Sequence, residues 1–209
     1  MASSISKQAR SLLIEIEDHP QLTVTDSALP SKTRSESEHQ ALAIGFSEDF
    51  INAYQAINGF KLHWYSKQNP STKGAIQFLP LTKVVQSWEG VVYFNDTPPN
   101  DALRQFYPLD FWADEACAGV YVGENRLYYY PFEGQPLDLE VDIAGYIELV
   151  LTTKGFWYWP QLIRYFITNE PSWLANHYQT EMPHYFPDHT LVALQKTFER
   201  LRLPLTNFR

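Results

Sequence analysis

The chain has little with which to build a cross-linked or metal-stapled fold. Cys117 is its one cysteine among 209 residues. No intramolecular disulfide and no multi-cysteine zinc site can form, a usage that suits a reducing compartment. No run approaches the roughly 20 apolar residues of a membrane span. The opening MASSISKQARSLL holds no apolar stretch of signal-peptide length before Glu15, Glu17 and Asp18. The expectation is a soluble, cytoplasmic protein with no membrane association. Positive charge is also scarce: 16 Lys and Arg against 24 Asp and Glu give a formal net charge of −8. Such a chain repels phosphate backbones, which argues against direct nucleic-acid binding and suits a basic protein partner. The nine glycines are scattered, and no phosphate-cradling glycine loop or Gly-x-Ser-x-Gly elbow is formed. No cofactor is expected.

Aromatics, by contrast, are plentiful, with six Trp, 13 Tyr and 13 Phe in a chain that is 44% hydrophobic. That composition excludes global disorder and is enough to bury a sizeable core in one domain, residues 1–209.

Ser47 to Leu81 reads as a helix, a glycine stop, and two strands. Ser47 is an N-cap with Glu48 and Asp49 behind it. Phe50, Ile51, Tyr54 and Ile57 share a helical face, and Asn58-Gly59 ends it. Phe60, Leu62 and Trp64 alternate with Lys61, His63 and Tyr65, and Ala75 to Phe78 is a second strand stopped by Pro80. Ile5 to Ile16 has helical spacing, giving an N-terminal helix over 4–17. Residues 21–32 carry no firm assignment. Thr33 to Gln40 is either a solvated linker or the first turns of a helix to about Ile44, with Ser31 as cap; Gly45 at the C-cap position favours the helix. Thr82 to Trp88 makes a helical turn. Arg104 to Trp112, broken by Pro108, reads as irregular. Gly119 to Tyr130 is a hairpin turning at Gly123. Asp138 to Lys154 is a helix capped by Gly155, another helix starts at Pro160, and Asp188 caps a last one. Strands in the middle and helices at the ends predict an α+β fold: a central antiparallel sheet with helices at its ends and on one face.

The order of these residues resembles the SUKH superfamily, which includes fungal cell-wall (glucan) synthesis regulators and many bacterial proteins. The likeness is carried by Phe50-x-x-x-Tyr54, Ile57-Asn58-Gly59-Phe60 and Trp64. It continues through Gly74-x-Ile76-x-Phe78-Leu79-Pro80-Leu81, Ala118-Gly119 with Leu127-Tyr128-Tyr129, and the Gly155-Phe156-x-Tyr158-Trp159 ending. It spans about residues 31–167 and departs at Phe46-Ser47, where the family often has Leu-Pro. The N-terminal helix and a C-terminal helical extension, 170–209, stand as additions. The resemblance implies a non-enzymatic α+β domain. Many bacterial members are immunity proteins that bind and neutralise a toxin, often a nuclease; fungal members are regulatory interaction proteins.

Chemistry-bearing clusters are sparse. His177, Glu181, His184, Asp188 and His189 lack metal-ligand spacing, so no metal site is expected. Cys117 among small residues reads as buried and inert rather than nucleophilic. Asp110, Asp114 and Glu115 fall close together, and Asp138, Glu140 and Asp142 sit at a helix start where acids are favoured by the dipole. An enzyme would need a pocket near His63 or Asp110. The basic cluster Lys196, Arg200, Arg202 and Arg209 reads as a helix C-terminus. Acids and exposed aromatics together suit docking of a basic partner. The expected protein-binding residues are therefore Trp64, Trp88, Asp110, Trp112, Asp114 and Glu115, and the expected partner a protein, such as a basic toxin domain.

Overall fold

Alternation along Lys61 to Ser66 turns Leu62, Trp64 and Ser66 inward and Lys61, His63 and Tyr65 toward the outer face. This strand, β2, is the middle of a three-stranded antiparallel sheet flanked by β1 (Leu22–Ala28) and β3 (Lys73–Gln77). The computed structural model describes the backbone of residues 2–204 and the side chains of residues 4–204. A second antiparallel sheet follows, in the order β4 (Phe106–Ala113), β5 (Ala116–Tyr121), β6 (Tyr128–Tyr130) and β7 (Leu137–Asp138). Helices α1 (Ala2–Glu17), α2 (Ser35–Ile44), α3 (Glu48–Tyr54) and α4 (Leu81–Val84) precede it. Helices α5 (Ile143–Thr152), α6 (Pro160–Thr168), α7 (Trp173–Tyr185) and α8 (Leu191–Leu201) follow. The class is α+β, as the sequence implies. The expected single central sheet is two sheets, joined by one bridge between Phe78 and Asp110.

The N–H groups of Ala75, Gln77 and Leu79 all point away from β2, and three different acceptors meet them. Ala75 N–H donates to Gly155 O at 2.7 Å, and Trp157 N–H returns a bond to Lys73 O at 2.9 Å. Leu79 N–H donates to Leu109 O at 2.8 Å. Between them, Gln77 N–H donates to the Asp110 carboxylate at 2.8 Å. The 155–157 segment thus lines one half of the β3 edge and β4 the other, with a side chain completing the ladder at the junction. Close approach there requires glycines. Trp64 lies flat on Gly74, and its indole N–H donates to Lys154 O at 2.8 Å. Lys154 (φ +54°) and Gly155 (φ +64°) are both left-handed, a conformation natural to the glycine and strained for the lysine.

Several expectations need correcting. Arg104 to Trp112 is not irregular: after a 3-10 turn (Ala102–Gln105) it is β4, and Pro108 is tolerated because the pairing shifts register beside it. The residues left unassigned contain β1, which pairs with β2 from Leu22↔Ser66 to Ala28↔Lys61. The long helix starts at Ile143, capped by the Asp142 carboxylate accepting from Gly145 N–H at 2.7 Å, because Asp138 is already in β7. The cap of the last helix is Thr190, not Asp188. Residues 35–44 are helical, but the helix begins at Ser35 after Arg34, and the expected cap Ser31 instead bonds Asn58.

The terminal additions belong to the same core. Ala9, Leu12, Leu13 and Ile16 of α1 are buried with Tyr178 and Met182 of α7 and Leu194 and Phe198 of α8. The C-terminal run is tied down by polar bonds: Leu203 N–H donates to Glu140 O at 2.7 Å, and Arg202 pairs with the Glu140 carboxylate at 2.5 Å. Arg126 bridges Asp138 (3.0 Å) and Pro204 O (2.6 Å). Arg209 lies outside the described residues.

Candidate functional site

Asp110 is fully buried. Its carboxylate accepts from Gln77 N–H and, at 3.0 Å, from the Tyr146 hydroxyl of α5. It makes no ion pair among the described residues. Burial pushes its pKa up to about 7, the two hydrogen bonds opposing. A raised carboxyl is a mark of catalytic acids, but this one faces a backbone amide and a phenol in the dry joint between sheets. Two surface clefts are lined by other residues. One of about 430 Å³ lies among Ser6, Lys32, Glu38 and Gln55, and another of about 490 Å³ among Ile5, Asp49, Asn125 and Asp142. His63 is half-buried on the outer face of β2, its pKa lowered by burial and then by Lys61. Cys117 is buried with its thiol pKa raised, mainly by burial.

The structure separates the predicted binding residues. Trp64 is 2% and Trp112 3% exposed, and Asp110 is sealed, so none of these three presents a surface to a partner. Trp64 fills the contact with Gly74, and Trp112 stacks on Tyr129 with ring centroids 6.1 Å apart. Trp88 is half-buried, stacked on Phe111 and bonded through its indole N–H to Val84 O at 3.0 Å. Alternation along a strand cannot tell which aromatics a second sheet covers, and β4 is covered on both sides. Asp114 and Glu115 alone form an exposed pair, at the β4–β5 turn.

Aromatic groups that the sequence did not single out lie next to that pair. The Tyr158 hydroxyl donates to Glu115. The rings of Tyr158 and Trp157 meet edge to face at 5.3 Å, and Lys73 Nζ lies 4.0 Å over the Trp157 ring. Beyond Phe156, His177 is 5.5 Å away, and Trp173 is 6.2 Å from His177. Trp173 is 68% exposed. Tyr158 holds a left-handed backbone (φ +60°), strain of the sort that persists where surroundings over-determine a residue. A signal for Trp173 existed. In α7 the buried line is Leu174, Tyr178 and Met182, and Trp173 falls off it, in the first turn behind the Ser172 cap.

Among the described residues no group of three or more His, Cys, Asp or Glu side chains could hold a metal ion. His189 Nδ1–H donates to Thr152 O at 2.8 Å, and His177 packs on Phe156 and Trp173. Among the described residues no helix is long and apolar enough to cross a membrane. No family model, curated protein or solved structure matches the chain. The likeness to the SUKH superfamily therefore rests on the residues quoted for it.

Proposed function

We propose that this chain is a non-enzymatic binding domain that neutralises a basic toxin domain by stoichiometric docking. The observations that carry the reading are the exposed Asp114–Glu115 pair with Tyr158 and Trp157 against it, and the exposed Trp173. Half-buried Tyr158 and Trp157 next to the exposed Asp114–Glu115 pair, with exposed Trp173 in the same molecule, have the composition of an interface anchor with a steering charge. A Trp left 68% exposed gains nothing for the fold, and it gains area when a partner covers it. The net charge of −8 favours encounter with a basic surface. The narrower immunity role draws support from the SUKH resemblance. Catalysis lacks comparable support: Asp110, whose carboxyl is pushed up to about 7, is fully buried in the joint between the sheets.

Co-expression with the product of a neighbouring toxin gene tests the reading. Growth should be restored by the wild-type chain, and a one-to-one complex should elute together on size exclusion. Growth arrest despite soluble, folded chain would sink the immunity role. A complex formed instead with an envelope-synthesis enzyme, with no protection, would replace it by a regulatory one.

A further inference from the structure

The joint between the two sheets is held by a carboxyl group that, among the described residues, has no cationic partner. On the edge of β3 that faces β4, Leu79 N–H meets a main-chain carbonyl, that of Leu109, whereas Gln77 N–H meets the Asp110 side chain. Asp110 supplies its own oxygen in that place while the other oxygen meets Tyr146. The groups facing it are all neutral at ordinary pH. They are Tyr146 from α5, Tyr54 from α3, Cys117 from β5 and the Gln77 amide from β3. Burial raises the pKa of both tyrosines and of the cysteine, and Asp110 raises them further. None of these groups can neutralise an Asp110 anion.

We infer that the joint is a proton-operated clamp: the two sheets are held together by neutral Asp110 and loosened when Asp110 ionises. With Oδ1 taken by the Gln77 amide, protonation places the proton on Oδ2, where it reverses the 3.0 Å contact to Tyr146 so that Asp110 donates. On ionisation Tyr146 donates to Oδ2, the direction drawn in the structure. What changes is a bare charge in a dry joint, which draws in water and strains the Phe78–Asp110 bridge.

The direction of the pH effect follows from linkage. The folded chain holds this proton up to about pH 7, against 3.8 for an ordinary Asp. The folded state binds more protons than the unfolded state between those limits. Stability from this group is therefore fully present below about pH 3.8, falls as pH rises from there to about 7, and levels off above it. The lost factor in the folding equilibrium constant approaches about a thousand-fold by about pH 8.

The test compares wild type with Asp110→Asn by urea unfolding from about pH 4.5 to 8.5. Asn keeps an oxygen for Gln77 and gives Tyr146 a donor, yet cannot ionise. The wild-type folding constant should fall relative to the variant by about 250-fold across that range. A ratio that stays constant overturns the inference. If Asp110→Asn does not fold, carboxyl carbon NMR of Asp-labelled wild type decides instead. One carboxyl should titrate near neutrality and shift in Tyr146→Phe; titration of that Tyr146-dependent carboxyl in the ordinary Asp range overturns the clamp.

Discussion

Gly155→Ala should be among the most damaging small substitutions in the chain. A Cβ there would sit 2.8 Å from Ala75 O, a backbone atom, and against Ile76 Cγ1. Neither neighbour is the far end of a flexible side chain. The left-handed backbone (φ +64°) costs a residue with a Cβ about 1–2 kcal/mol. Overpacking against the β3 edge adds about 1–3 kcal/mol. The stiffer unfolded chain returns about 0.4–1 kcal/mol. A net loss of about 2–4 kcal/mol follows, and the Ala75–Gly155 bond stretches with it. Gly123 is the control. It is also left-handed (φ +82°), but a Cβ there meets nothing within 4 Å, so Gly123→Ala should cost at most about 1.5 kcal/mol. Urea unfolding followed by tryptophan fluorescence measures both, with buried Trp64 and Trp159 as reporters. Equal losses for the two variants would refute the claim that the 155–157 segment is pressed against β3.

Two further outcomes follow from buried polar groups. The Tyr54 hydroxyl lies 2.6 Å from Leu79 O and 3.1 Å from Leu109 O, so Tyr54→Phe should lower thermal stability by about 1–3 kcal/mol; an unchanged melting temperature would remove Tyr54 from the joint. His189 has its pKa lowered from 6.5 by burial and then by Lys154. The folded chain therefore binds this proton less readily than the unfolded chain, and stability falls as pH drops below about 6.5. His189→Gln keeps a donor for Thr152 O and should flatten that acid limb; parallel losses in both proteins from pH 7 to 5 would contradict it.

The elements whose residues interact locally were legible before any fold was known. Ser47 accepts from Phe50 N–H at 3.1 Å as its cap position requires, and the alternation of β2 matches its burial. Pro108 misled because a proline disqualifies a strand only where its missing N–H is needed, and beside a register shift it is not. β1 was invisible because its exposed half, Thr25 to Ala28, shows no alternation; only pairing with β2 makes it a strand. The binding candidates failed for a related reason. Trp64, Trp112 and Asp110 lie in β2 and β4, where the covering elements come from distant sequence, such as Lys154 for Trp64 and Tyr146 for Asp110. Asp114 and Glu115 were readable as surface because a turn exposes its acids whatever packs nearby.

The docking face is tested most directly by the affinity of purified chain for the neighbouring toxin domain, wild type against Trp173→Ala. Trp173 contributes little to the fold, so the variant should unfold within about 0.5 kcal/mol of wild type. The account predicts a dissociation constant raised about 30- to 1,000-fold, the loss of a central aromatic anchor of about 2–4 kcal/mol. A variant that binds as tightly as wild type, with its fold intact, would contradict the placement of the interface at Trp173.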